Sequence, residues 1–393
     1  MGEDNCHSRN IPMRLYLAPD PPRYDCVDEP RSILIFIPNW VGDVVMATAA
    51  LGAIRRTYQH SHIAFLMRPY VADVLAHAGL ADEFLFWPDS QAGMGATVRH
   101  IRDLRRRDFV AAVLLTNSFR SALVARAAGI PRRLGYARDG RGWLLTEMLR
   151  PSRKDGEYVP VPALDYYNDL ARAFGCGEAG DRLVLATGPE DEAAVDARLG
   201  AIDEDRPLVA LNPGANYGSA KCWPAEKYAL LAEMLTRQYD ARVVASLSPK
   251  EKPIADRLAA AARSPIEIFV DPPLGLGPLK ALVRRCDLLV TNDTGPRHFA
   301  AAFDVPVVTV FGSSDPAWTD TRFAQERIAM LTLECQPCME RVCPLKHHKC
   351  MQDLPPEMVM EKIRQLLPAS GRRQKRGETS RDRATVQSEE VHG

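Results

Sequence analysis

With 393 residues, 46% of them hydrophobic and 25% charged, the chain has an ordinary globular composition and enough length for two hydrophobic cores. Lys+Arg and Asp+Glu balance at 50 each, which leaves no electrostatic footprint for duplex nucleic acid. No run approaches the roughly 18–20 apolar residues needed to span a bilayer, and polar, proline-rich residues 1–30 lack a signal-peptide core, reading instead as a flexible leader.

After the leader, strand-like and helix-like segments alternate. "SILIFIP" reads as a strand, with a helix over 45–58. "HIAFLM", "DEFLFWP" and "FVAAVLLT" read as further strands, separated by the helices "VADVLAHAG" and "ATVRHIRDLRRRD". The helix "SFRSALVARAAG" and a short strand near "RRLGYA" follow. The rhythm breaks over 139–185, apart from the helix "ALDYYNDLARAFG". It resumes with "PEDEAAVDARLGAI", "LVALNPG" and "AEKYALLAEMLTRQY", and runs on to "DLLVTND", "GPRHFAAAF" and "PVVTVFG". Such alternation predicts doubly wound parallel sheets. Two α/β units in tandem are expected, 31–185 and 186–368, with a disordered tail over 369–393. No short-period repeat is visible, and neither half reads as a copy of the other.

Ligands of open α/β sheets bind beyond the C-terminal strand ends, where strand order reverses, so the loops after strands carry the chemistry. "PNWVGDVVMA" places Gly42 and Asp43 at a strand-to-helix junction. Asp43 reads either as a helix cap or as a general base aimed into a cleft. "LNPGANYGSAKCWP" offers Gly214, Ser219 and Lys221, glycine amides followed by a lysine, either a phosphate cradle or a solvated surface loop. "VTNDTGPRHFAAAF" sets Asp293, Thr294 and Gly295 before a helix bearing His298, which reads as an anion-binding N-terminus or as a capped helix with a half-buried histidine. Two phosphate-friendly strand ends in one unit make a nucleoside diphosphate the economical ligand. The absence of GxGxxG after any strand disfavours a dinucleotide oxidoreductase.

These loops, taken in order with "NSFRSAL" at 117–123, resemble glycosyltransferase family nine, the ADP-heptose:lipopolysaccharide heptosyltransferases, and especially their type II branch. The resemblance spans roughly residues 31–367. It implies the GT-B architecture, two Rossmann-like domains facing across a cleft, with the acceptor bound mainly by the first and ADP-heptose by the second. It further implies inverting transfer of heptose to the lipopolysaccharide inner core, with no cofactor required for catalysis. On this resemblance Asp43 is the base, and Gly214, Ser219, Lys221, Glu251, Asp293, Thr294, Gly295 and His298 contact the donor. Asn117, Ser118 and Arg120 face the acceptor, a lipid-linked Kdo/heptose chain at the inner membrane surface. The enzyme is then cytoplasmic or peripheral at the cytoplasmic face. Glu251 follows a strand end where the family has a glycine and this chain reads "SLSPKEK"; it is either a ribose ligand or a helix-surface residue. Arg120, Arg132 and Arg133 either meet acid groups of the acceptor or merely solvate the fold, and Arg297 is a candidate for touching phosphate or acceptor.

Of nine cysteines, four are bunched in "CQPCMERVCPLKHHKC". The spacing of Cys335, Cys338, Cys343 and Cys350 suits a tetrahedral thiolate site. A structural zinc is the preferred functional reading, with free thiols or disulfides as the alternative. Two other functional classes stay open: transfer to a protein or another glycan, and a non-catalytic nucleotide-sugar binder.

Overall fold

The computed structural model describes residues 29–367 except 90, 92 and 204. Nearly all of the expected leader, with Cys6 and Cys26, and the whole of the 369–393 tail lie outside the described residues.

The first sheet contains β1 (Ser32–Phe36), β2 (His62–Met67), β3 (Glu83–Phe86), β4 (Ala111–Leu114), β5 (Arg132–Tyr136) and β6 (Glu147–Leu149). All are parallel, in the order β3-β2-β1-β4-β5-β6. Central strand β1 is buried on both faces, which explains its unbroken apolar run. Helices α1 (Val41–Thr57) and α2 (Ala72–Leu75) cover one face, and α3 (Gly93–Arg106) and α4 (Phe119–Ala127) the other. A two-stranded hairpin, β7 (Arg153–Lys154) and β8 (Glu157–Tyr158), leads into α5 (Ala163–Phe174), which packs on α1.

Helix α6 (Pro189–Leu199) opens the second unit. Its sheet holds β9 (Leu208–Asn212), β10 (Arg242–Ser246), β11 (Glu267–Phe269), β12 (Leu288–Asn292), β13 (Val307–Val310) and β14 (Glu326–Ala329). The order is β11-β10-β9-β12-β13-β14, again all parallel. Helices α7 (Ala225–Tyr239), α8 (Lys252–Ala261), α9 (Leu276–Arg285) and α10 (Gly295–Ala302) flank it, followed by α11 (Lys349–Gln352) and α12 (Pro356–Arg364). The halves therefore share one strand order although their sequences show no repeat.

The junction is held by polar contacts. Lys280 of α9, fully buried, donates to the carbonyls of Val74 (3.2 Å), Ala76 (3.5 Å) and Ala186 (2.8 Å). Arg322 pairs with Asp165 of α5 at 2.8 Å and with Asp181 at 2.6 Å. Among the described residues no helix is long and apolar enough to cross a membrane.

Candidate active site

Strand order reverses between β1 and β4 in one sheet and between β9 and β12 in the other. The loops bearing Asp43, Asn117, Lys221 and Asp293 leave those four strand ends, whereas Glu251 follows β10, next to β9. Helix α1 starts at Val41, earlier than the expected 45, because Trp40 supplies the last extended residue (φ −86°, ψ 133°). Asp43 thus sits inside the first turn, and its carboxylate caps no amide and accepts no hydrogen bond among the described residues. It is partly open to the cleft yet closely surrounded by protein. Burial, opposed by Lys221 and reinforced by Asp293, pushes its carboxyl from the ordinary 3.8 up to about 6. Lys221 and Asp293 belong to the other domain, so this carboxylate feels charges across the interdomain seam.

The two domains meet there through glycines. A β-carbon on Gly295 would lie 2.8 Å from Cβ of Val41, and one on Gly42 would lie 3.0 Å from Cδ2 of His298. Only residues without side chains let the first turns of α1 and α10 approach so closely.

Lys221 is held by Asp293, with Nζ 2.5 Å from Oδ2, and lies 4.9 Å from the Tyr217 ring centroid. Ser314 also donates to Asp293 Oδ2 at 2.7 Å. Burial works against ionisation of Asp293, but Lys221 and Arg297 outweigh it and hold the carboxyl below its usual range. Arg297 is buried and faces inward, with a two-pronged contact to Glu326 (2.6 and 3.0 Å) and a bond to Thr319 Oγ1 at 2.7 Å. It supports Asp293 and does not meet acid groups in the cleft. Burial, with Arg297 beside it, pushes His298 down to about 3, so its imidazole is neutral, and its buried Nδ1 has no partner among the described residues.

Thr294 stands at the N-cap of α10 with an extended backbone. Its hydroxyl accepts from Asn212 Nδ2 at 3.0 Å. Among the described residues the amides of Thr294 and Gly295 donate to no acceptor, leaving the helix entrance free for an anion. Asn292 ties the two second-domain loops together, donating to the carbonyls of Pro213 (2.8 Å) and Gly214 (3.2 Å). Ser219 is exposed at the start of a single 3-10 turn ending at Lys221. Glu251 closes a capping box, accepting from the amide and hydroxyl of Ser248 at 2.8 Å each. Its other oxygen lies against Gly214, at the same strand-end edge as Lys221.

On the first-domain side, Asn117 Oδ1 accepts from Tyr166 Oη at 2.9 Å and from Arg141 at 3.3 Å. Ser118 is the N-cap of α4, and its hydroxyl accepts from the Ser121 amide at 3.2 Å. Arg120 is exposed, its guanidinium 5.2 Å from the Trp87 ring centroid. Arg132 instead forms a fork with Glu147 at 2.7 and 3.0 Å, and Arg133 donates to the Leu144 carbonyl at 2.7 Å. Both begin β5, at the far end from the cleft, and serve the fold. The sequence reading missed Arg141, fully buried and donating to the carbonyls of Tyr136, Thr116 and Ser118. Nothing in "RDGRGW" marks one arginine as internal.

Among the four bunched cysteines, Cys350 is buried and the other three are partly exposed. Burial, with Cys338, Cys343 and Cys335 nearby, pushes the Cys350 thiol up to about 11. As arranged, no group of three or more His, Cys, Asp or Glu among the described residues is set to hold a metal.

Comparison with known proteins agrees with this layout. Residues 97–349 match the model of glycosyltransferase family 9 (heptosyltransferase). The chain is 28% identical to lipopolysaccharide heptosyltransferase 2 of Salmonella typhimurium, covering 86% of this chain and 99% of that one. It is 29% identical to lipooligosaccharide heptosyltransferase 2 of Haemophilus influenzae, with the same coverage. The structure of E. coli ADP-heptose lps heptosyltransferase II superposes with a TM-score of 0.70 at 26% identity, covering 85% of this chain and 98% of that one. A GT-B pair of parallel-sheet domains, matched over most of its length to these enzymes, identifies the chain as a glycosyltransferase belonging to family 9, the heptosyltransferases.

Proposed function

We propose that the protein transfers heptose from ADP-heptose to a heptose on the lipopolysaccharide inner core, with inversion at the anomeric carbon. The observation that carries this reading is the Asp43 carboxylate, free of hydrogen bonds among the described residues and raised to about 6, set across the seam from Lys221 and the entrance of α10. A base needs a proton affinity near working pH and room for a hydroxyl within reach. Asp43 takes the proton of the acceptor hydroxyl as its oxygen forms the new bond to the anomeric carbon. The bond from that carbon to the phosphate oxygen breaks, and ADP leaves with the electron pair. Lys221 and the Thr294 and Gly295 amides receive the charge that develops there. Glu251, with one oxygen committed to Ser248, offers the other to the ribose, and Ser219 and Gly214 line the diphosphate. Neutral His298 packs beneath the reacting centre. Asn117 and Ser118 present the acceptor loop, and Arg120 gives it a cation.

The 31–185 and 186–368 units divide this work between acceptor and donor. Exposed Met94, Val98, Arg99 and Arg102 on α3 support a peripheral position at an anionic lipid surface, where a lipid-linked acceptor is met. For the cysteine loop we keep a structural zinc, supported by the spacing and by the influence of the other three thiols on Cys350. One zinc per chain in purified protein, lost in Cys338→Ser, is the expected result of metal analysis.

The test is ADP release from ADP-heptose, with and without a heptose-bearing, Kdo-containing acceptor, by wild type and Asp43→Ala. Acceptor-dependent release that collapses in the variant, while ADP-heptose still binds, is expected. Donor binding without turnover on any acceptor would instead make the protein a nucleotide-sugar binder.

A further inference from the structure

The cysteine-rich loop does more than pack beside the donor loop. The Ala220 amide donates to the Arg341 carbonyl at 3.0 Å, and that carbonyl occupies the space a Gly218 side chain would need. Tyr217 Oη donates to the Met339 carbonyl at 2.9 Å, and the Met339 amide donates to Ser313 at 2.8 Å. Residues 339–341 are therefore fixed by backbone contacts, whatever the side chain of Arg341 does.

That side chain is exposed and forms no hydrogen bond or ion pair among the described residues. Its guanidinium lies 5.1 Å from the Tyr217 ring centroid and 6.0 Å from that of Trp40. Tyr217 is the ring that also carries Lys221, whereas Trp40 belongs to the first domain and immediately precedes α1. Two cations thus share one aromatic ring at the cleft. Lys221 is answered by Asp293, and Arg341 is answered by nothing. A planar guanidinium held by aromatic rings is preorganised to grip a carboxylate or phosphate with two parallel bonds.

The donor diphosphate already has Lys221 and the α10 entrance, both on the second domain. Arg341 lies between Tyr217 and Trp40 and so reaches across the seam to the residue three before Asp43, where the proposed acceptor hydroxyl must arrive. We infer that Arg341 is a specificity-determining residue that grips an oxyanion, carboxylate or phosphate, borne by the acceptor beside the hydroxyl under attack. This rests on the transferase reading above.

The experiment measures ADP-release kinetics for wild type, Arg341→Gln and Arg341→Lys. Three acceptor preparations are compared: native, carboxylate-methylated and phosphatase-treated. Arg341→Gln should lower kcat/KM for native acceptor by about 10- to 100-fold, the range of one charge-assisted fork, with KM for ADP-heptose unchanged. Wild type should fall to the variant's level on whichever acceptor lacks the recognised acid, and the variant should lose nothing further. Methylation as the effective treatment identifies a carboxylate, and phosphatase a phosphate. Arg341→Lys should recover part of the loss. If Arg341→Gln raises the donor KM instead, or still discriminates the acceptors as wild type does, the inference is overturned. An equal loss on all acceptors with a lowered melting temperature would also overturn it, by making the role structural. Wild type inactive on every acceptor removes the transferase reading itself, a result distinguishable from failure of Arg341 alone.

Discussion

Replacing Asp43 by Asn removes a charge that the fold holds at a cost. Raising a carboxyl from 3.8 to about 6 corresponds to about 3 kcal/mol, at about 1.4 kcal/mol per tenfold change in proton affinity. Water entering the cleft screens part of this, so a range of about 1–3 kcal/mol is expected. The sign follows from linkage. The folded protein binds this proton more tightly than the unfolded chain, so stability falls as pH climbs from 3.8 toward 6 and stays reduced above that. Asp43→Asn lacks the fall. Urea unfolding should show the variant more stable than wild type by about 1–3 kcal/mol at about pH 7.5, with the two converging at about pH 4. The same variant should lose roughly 100- to 10,000-fold in acceptor-dependent ADP release, the ordinary contribution of a general base. Wild-type kcat/KM should rise through about pH 6 as the carboxylate ionises. A variant that is less stable at neutral pH would show that Asp43 serves the helix after all. Full turnover by the variant would remove it from the chemistry.

Three further outcomes test the surrounding structure. Lys221→Met leaves Asp293 buried with only Arg297 and Ser314, so unfolding free energy should drop by about 2–4 kcal/mol; calorimetry should show weakened ADP binding. Gly295→Ala places a β-carbon 2.8 Å from Cβ of Val41 and should cost about 1–3 kcal/mol in chemical denaturation. Because it separates α1 from α10, turnover should fall more than ADP affinity. For Lys280, burial lowers the ammonium from 10.5 to about 8 against the pull of Asp191, Asp73 and Glu190. The folded form releases this proton first, so wild-type stability should gain from this group as pH rises from 8 to 10.5, and Lys280→Met should abolish that gain.

Much of the fold was legible because parallel strands buried on both faces write themselves as short apolar runs. β1, β9 and β12 are of this kind, and the expected span of α7 matches residue for residue. Edge strands β6 and β14 escaped the reading, since "EML" and "ERIA" are short, partly exposed and half polar. The shared strand order escaped too, because topology is set by pairing partners and not by recurring side chains. The candidate loops were found by their place after strands. What their residues do depended on side-chain direction: Arg297, one position from His298, turned inward to Glu326, and Ser118 turned back to cap α4. Neither Arg141 nor Arg341 was singled out from sequence, yet one is enclosed by carbonyls and the other lies open on two rings.

The contact between Gly42 and Gly295 presses two helix N-termini together, and each carries about half a positive charge. Like poles repel, and the carboxylates of Asp43 and Asp293, placed at these same two helix entrances, offset that repulsion. A pyrophosphate entering on the proposed reading is a counterion to both domains at once and acts as adhesive between them. On that reading the anion carried by the product is the same one that quiets the two helix entrances where the domains touch.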